Sequence, residues 1–569
     1  MDRLDYIARQ PGRLTLTGAP QGYDAYIAAE AARRLGQPVL FVALDDAEAD
    51  AICRAISFFA PAMTVLPFPA WDCLPYDRAS PKPDIESRRL ATLSHLARGA
   101  AHDAKGACVI VTTVNAALQR VPPRTAIAAA SFAAKNGGEV DREALVAFLS
   151  GNGYVRAGTV REPGDFALRG GIVDLWPPGE DQPLRLDFFG STLDAIRRFD
   201  AETQLSEKTP VDAILLLPAS EAPLNAQAIS RFRTGYVAAF GAAGDDPLYE
   251  SVSAGRKTIG MEHWLPLFYD HLDTLFDYLP RCLVMLGHQA EEAKAARLEL
   301  IRDYYETREQ FRHQAPEEKA IKAPPYKPLK PDTLYLTDAD WQAALGRNIL
   351  RALSPFQAPE TTGSVDAGGR QGRDFAPERQ EGKQGGNLNV FQAAADHLKA
   401  LQAAGKRVLV ASWTDGSAER MGGVLSDHGV TPIRKIADWP EALKLDKSAF
   451  AIATLGLERG LEGPDFAILA EQDVLGDRMV RAQTRVRRAQ NFIAEASSLT
   501  PGDLVTHIEH GVGRYLGLKA IDALGAPHDC LELQYDGGKP FLPVENIELL
   551  TRYGSDEGAA LDRLGGAGW

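Results

Sequence analysis

Cysteine is scarce and scattered. The 569 residues hold five, Cys53, Cys73, Cys108, Cys282 and Cys530, and no two stand in a CxxC spacing. An odd, dispersed set excludes both a disulfide framework and a zinc ribbon. Long apolar runs are missing too: none approaches the roughly eighteen uninterrupted residues of a membrane-spanning helix. The opening MDRLDYIARQPGRL has no apolar signal-peptide core, so the chain reads as cytoplasmic. Positive charge is in deficit, with a net charge of -14. Coating nucleic acid needs clustered Lys and Arg to neutralise phosphates, so that class is disfavoured, although one basic patch remains compatible. His507 and His510 stand three apart, but no Cys or acid completes a ligand set around them, and no metal is expected. What is present is ordinary for globular protein, 45% hydrophobic and 24% charged residues. The length suits several domains of about 100–200 residues each.

Arg13–Gly18 reads as a short strand, followed by a loop and a helix over Ala25–Leu35. The runs Val39–Leu44, Met63–Phe68 and Cys108–Val114 are short and apolar and alternate with helical stretches, as in a parallel sheet covered by helices. The loop APQGYDA falls where a phosphate-binding loop would fall. That template asks for a glycine, four free positions and Gly-Lys-Ser/Thr. Counting from Gly18, the last three places hold Tyr23, Asp24 and Ala25; counting to Gly22 as the second glycine, Tyr23 and Asp24 follow it. Either way no lysine meets the phosphates, no hydroxyl meets Mg²⁺, and an aspartate repels them. The fold reads as kept and ATP binding as lost. A helix starts near Asp84, and its Arg88 and Arg89 read as a solvated face.

The ribbon FALRGGIVDLWPPGEDQPLRLDFF, Phe166 to Phe189, reads as two strands joined by a turn at Pro177-Pro178-Gly179. Alternation places Leu184, Leu186 and Phe188 on one face and Arg185, Asp187 and Phe189 on the other. An arginine and a large aromatic on a solvated face have the composition of a protein-binding hot spot. Arg169 precedes Gly170-Gly171, read as a bulge that re-aims its neighbours.

A helix-rich stretch from about Ala213 to Leu353 follows, with a charged surface helix around Glu291–Arg312. Residues 354–386 are rich in Gly, Pro, Gln and charge, with too few large apolar side chains to offset ordering entropy; they read as a disordered linker. Asn387–Leu475 reads as a small α/β unit whose FAILAEQD end copies an acidic strand-end motif without a phosphate loop, leaving Glu471 and Asp473 structural. Arg478, Arg481, Arg485, Arg487 and Arg488 crowd a connecting helix, read as solvated. Thr500–Tyr553 changes to short strands broken by Gly, Asp and Pro, suggesting a small twisted barrel. Its strand Gly513–Asp522 is the candidate edge, with Leu516, Leu518 and Ala520 on one side and Tyr515, Lys519 and Ile521 on the other.

The strings FPAWDCLPYDRASPKPDIESRRLATL, ALRGGIVDLWPPGEDQPLRLDFFG and HIEHGVGRY occur in that order. Together they resemble the bacterial transcription-repair coupling factors, the Mfd family, over nearly the whole chain. The resemblance implies a multidomain α/β chain: a degenerate UvrB-like P-loop module with an inserted α+β domain, a small α/β domain and a small C-terminal β-barrel of Tudor/SH3-like, CarD-like type. The implied segments are 1–115 (UvrB-like domain 1a), 116–210 (inserted UvrA-binding domain), 211–353 (domain 1b), 354–386 (linker), 387–475 (small α/β domain), 476–498 (connecting helix), 499–555 (RNA polymerase-interacting barrel) and 556–569 (tail). Carried over position by position, the UvrA-binding residues are Arg169, Arg185 and Phe189. The contact with the RNA polymerase β subunit, made by pairing strand edges, falls on Ile521, with Leu518 and Arg514 beside it. The family's ATP- and Mg-dependent DNA translocase would begin where this chain ends, at LDRLGGAGW, and no Walker A lysine motif or DExx box lies in it.

The expectation is thus a monomeric two-ended adaptor with no cofactor, no catalytic residue and no metal. It docks on RNA polymerase stalled at DNA damage and recruits UvrA for nucleotide excision repair. DNA is reached only through the translocase, and the UvrA face is expected to be unmasked here. Two rival readings are an ATP-dependent helicase or UvrB-type damage verifier, which needs a working phosphate loop, and a polymerase-binding transcription regulator without a repair role.

Overall fold

Val39–Ala43 and Cys108–Thr113 are buried along their whole length, as strands covered by helices on both faces must be. The computed structural model describes residues 2–76, 79–99, 107–244, 246–313, 326–383, 389–476, 502–507, 511–523, 526–536, 538–543 and 550–554. In it those strands lie within a seven-stranded, wholly parallel sheet. Its order is Ser364–Asp366, Arg13–Thr17, Ile349–Leu353, Leu283–Leu286, Val39–Ala43, Cys108–Thr113 and Thr64–Phe68. The helices Tyr23–Leu35 and Asp46–Phe59 cover one face, contributing Ile27, Ala31, Ile52 and Ile56 to its core. On the other face, Leu90 and Leu93 of Pro83–Ala97 pack with Leu40 and Ile110.

In the chain between Cys108–Thr113 and Leu283–Leu286 lies a second sheet of six strands: Ser206–Pro210, Thr192–Phe199, Leu184–Phe189, Ile172–Leu175, Asp165–Arg169 and Val155–Arg156. It has its own core, built on Phe166, Val173, Leu184, Leu186 and Ile196 against the helix Arg142–Gly151. The stretch expected as one outgoing strand is two. Gly170, at φ +57°, reverses the chain so that Arg169 pairs with Ile172 in an antiparallel hairpin. The pair Gly170-Gly171 is therefore a turn and not a bulge, since positive φ costs glycine nothing. Ala213–Leu216, expected within a helix-rich stretch, is a strand paired with Phe132–Lys135.

Residues 354–386 are not the disordered linker expected from their composition. Ser364–Asp366 is the seventh strand of the parallel sheet, and Arg370–Gln371 is an edge strand of a third sheet. Ala376–Lys383 is helical, and Ala367 and Phe375 are buried. A strand added to an existing sheet draws its hydrogen bonds and cover from its neighbours, so it needs no apolar content of its own. Residues 384–386 fall outside the described residues.

The third sheet runs Arg370–Gln371, Leu461–Glu462, Phe466–Ala470, Arg407–Ser412, Phe450–Thr454 and Ile433–Lys435. Leu457, Leu461 and Phe466 of this unit share a core with Tyr23 and Ile27 of the first lobe. The connecting helix with its arginines, 478–488, and the tail 556–569 lie outside the described residues. The C-terminal unit is an antiparallel sheet of five strands: Phe541–Pro543, Ala526–Gln534, Gly511–Ala523, Leu504–His507 and Leu550–Gly554.

Arg89 overturns the expected solvated face of Pro83–Ala97. Arg88 is exposed and paired with Asp84, but Arg89 is fully buried. Its guanidinium forks onto Glu221 at 2.5 and 3.2 Å and lies 4.3 Å from the Phe68 ring centroid.

Candidate functional site

On the insert, strand Leu184–Phe189 alternates as its sequence dictates. Leu184 and Leu186 are buried in the core, with Phe188 packed against it, whereas Phe189 is 84% exposed at the strand's end. An aromatic ring left that open on a rigid sheet is an anchor without a pocket. Arg169, at the tip of the neighbouring hairpin, is exposed, and its Nη2 donates to the Gly158 carbonyl (2.8 Å) and to Thr159 Oγ1 (3.0 Å).

Arg185 differs from both. It stands directly across from Asp174, donating Nε to Oδ1 at 2.7 Å and Nη2 to Oδ2 at 3.0 Å. Its Nη1 donates to the Gln204 carbonyl (3.2 Å) and to Ser206 Oγ (3.1 Å), and the guanidinium lies 4.7 Å from the Phe199 ring centroid. Its side chain is 18% exposed and that of Asp174 1%. Arg185 thus fastens the loop before Ser206–Pro210 to the sheet. Sequence reading missed Asp174; only the three-strand register sets it opposite Arg185.

The loop after the first strand lies at the carboxyl end of a parallel sheet, where ligands bind in such folds. Here its donors are occupied. The Gly18 and Ala19 N–H groups donate to the carbonyls of Phe356 and Ser354, both at 2.9 Å. Asp24 Oδ1 accepts the N–H groups of Gly22 (2.8 Å) and Ala25 (2.6 Å). Side chains at the two glycines would collide: a Cβ on Gly18 comes 2.5 Å from Asp366 Oδ1, and one on Gly22 2.9 Å from Leu461 and 3.0 Å from Leu457. Tyr23 is buried and its hydroxyl donates to the Ala367 carbonyl at 3.2 Å. Burial pushes the Asp24 carboxyl up to about 8, so it is mostly protonated at neutral pH. The sequence showed a loop without a lysine; it did not show that residues from 354–370 and 457–461 fill the space.

At the other end of the chain, Gly511–Ala523 is central where it begins. Leu504–His507 pairs with it only as far as Arg514, and Ala526–Gln534 flanks it from Arg514 to Ala523. From Leu516 onward one edge has no strand partner among the described residues. The edge expectation holds for that half alone; Arg514 stands between two strands and donates to the Gly502 carbonyl at 3.3 Å. A register shift between Tyr515 and Gly517 breaks the simple alternation read across Leu516, because a bulge inserts an extra residue. Leu518 stands opposite Leu531 and Ile521 opposite His528; their side chains lie outside the described residues.

Two family models match these two regions: a UvrB interaction domain over residues 132–221 and a CarD-like/TRCF RID domain over residues 499–554. The transcription-repair-coupling factor of Escherichia coli K12 is 31% identical over 572 residues, 97% of this chain and 46% of the relative. That of Rickettsia bellii is 29% identical over 538 residues, 94% of this chain and 45% of the relative. Over almost its whole length the chain is similar to the transcription-repair-coupling factors. It spans about half the length of these curated relatives. The factor of Haemophilus influenzae matches at 29% over 96% of this chain, so the coupling-factor likeness runs through the lobe, insert, third sheet and C-terminal sheet alike.

Proposed function

We propose that this chain is the docking part of a transcription-coupled repair factor, with the insert taking UvrA and the C-terminal sheet taking RNA polymerase. The observation that carries this reading is Phe189: the most open large apolar side chain among the described residues lies within the segment matched by the UvrB interaction domain. Phe189 and Arg169 are the direct contacts, and Arg185 holds the surface that presents them. The half-open edge from Leu516 to Ala523 pairs with a strand of the polymerase β subunit, with Ile521 setting specificity. In this reading the C-terminal sheet closes into a small barrel and the chain acts as a monomer.

The first lobe is a UvrB-like P-loop module that has given up its nucleotide: four N–H groups around the loop are already accepted by protein oxygens, and two leucines fill the approach. ATP-driven movement along DNA belongs to the translocase of the complete factor. Binding measured on two partners tests the whole reading. Phe189→Ala should abolish capture of UvrA and spare polymerase, and Ile521→Arg should do the reverse. Loss of both by either variant would refute separate docking ends, and full UvrA capture by Phe189→Ala would refute the insert assignment.

A further inference from the structure

The chain leaves the insert through Leu216–Ala222, a buried run that carries a serine and a glutamate into the lobe. Ser220 Oγ donates to Glu86 Oε1 at 3.2 Å, and Glu221 accepts from Arg89 and, at 3.4 Å, from Trp71 Nε1. Tyr269 donates its hydroxyl to the Glu221 carbonyl at 2.8 Å. The other Glu86 oxygen meets Lys257 Nζ at 3.0 Å, which also faces Glu262 Oε1 at 3.9 Å. Glu262 Oε2 accepts from Ser80 Oγ at 2.7 Å, and its Oε1 has no hydrogen-bond donor.

The charges do not balance. Three buried carboxylates, Glu86, Glu221 and Glu262, share two cations among the described residues, Arg89 and Lys257. Arg89 is spent on Glu221, so among the described residues Lys257 is the cation that Glu86 and Glu262 share. Burying an unpaired carboxylate costs several kcal/mol, and such a group takes up a proton instead. We propose that this root is a proton-dependent latch: one proton held between Glu86 and Glu262 keeps Ser220 and Glu221 clamped to the lobe, and its loss loosens the root and lets the insert swing.

The direction follows from the surroundings. Burial raises both carboxyls, the negative charge of Glu86 raises Glu262 further, and Lys257 opposes this for both. The closed root therefore binds the proton more tightly than the loosened one, and raising pH favours opening. Of the other groups facing the pair, Glu221 adds to the effect on Glu86, and Ser80 and Ser220 donate without titrating.

Hydrogen exchange of the whole chain tests this, with rates corrected for the intrinsic pH dependence of exchange. Between about pH 6 and pH 9, protection of residues 216–222 should fall about tenfold relative to the lobe strand 39–43 and the insert strand 184–189. Glu262→Gln, neutral at every pH, should keep 216–222 protected throughout that range. Should it fail to fold, Glu86→Gln serves the same purpose. A flat profile in the parent, or the same slope in the Gln variant, would overturn the latch. A pH-dependent loss shared by all three segments would overturn it too, as global destabilisation.

Discussion

Asp24 offers the sharpest test of whether the loop after the first strand is shut. Its carboxyl is buried and accepts two backbone N–H groups, and burial lifts it from 3.8 to about 8. The folded state thus holds a proton that the unfolded chain releases. Stability from this group is fullest at low pH and falls as pH rises from the unfolded value toward the folded one, levelling off above it. Asp24→Asn keeps an oxygen for both N–H groups and removes the titration. Each unit of pH in that window is worth about 1.4 kcal/mol. From about pH 5 to about pH 8 the variant should therefore gain about 3.5 kcal/mol over the parent, after allowing for the flattening near both ends. Urea titrations followed by circular dichroism and tryptophan fluorescence at several pH values would measure the difference. Parallel stability curves for parent and variant would refute the reasoning. Asp24 would then be ionised in water at neutral pH, and the crevice behind Gly18 would be open.

Arg185→Ala should cost the insert about 3 kcal/mol by leaving the buried Asp174 carboxylate without its partner, whereas Phe189→Ala should leave its stability unchanged within about 0.5 kcal/mol. Thermal unfolding of the two variants separates a holding residue from a contacting one, and equal midpoints would contradict the assignment. Phe375→Ala, emptying a fully buried site, should destabilise the third sheet by about 3–5 kcal/mol; a fall of under about 1 kcal/mol would mean that 364–383 is loosely attached. Calorimetry with MgATP should give no saturable heat, and rebuilding the motif alone with Tyr23→Lys and Asp24→Ser should not restore it, because Leu457, Leu461 and Asp366 still crowd the two glycines.

Much of the parallel sheet was legible because its strands are short apolar runs that need no context: Val39–Ala43 and Cys108–Thr113 lie within a residue of where their hydropathy sets them. The alternation at Leu184–Phe189 was equally local. What could not be read depends on partners far along the chain. Arg89 is buried only because Glu221, 132 residues away, meets it. Ser364–Asp366 is a strand only because Arg13–Thr17 offers an edge. The bulge at Leu516 shifts a register that parity takes as continuous. In each case composition describes a residue's own preference, and a distant group reverses the outcome.

Those same distant groups explain why the loop after the first strand is shut by structure as well as by sequence. Losing a lysine weakens a phosphate site but leaves its N–H groups free for another anion. Here the seal is shared among three segments: carbonyls of Ser354 and Phe356 accept the Gly18–Ala19 donors, Asp24 accepts from Gly22 and Ala25, and Leu457 and Leu461 occupy the approach. Because Ser364–Asp366 and Arg370–Gln371 belong to two different sheets only a few residues apart, anything that reopens the loop must also pull these sheets apart. A lobe so closed suits a fixed mount: Tyr23, Leu461 and Phe466 share one core that joins the two sheets directly.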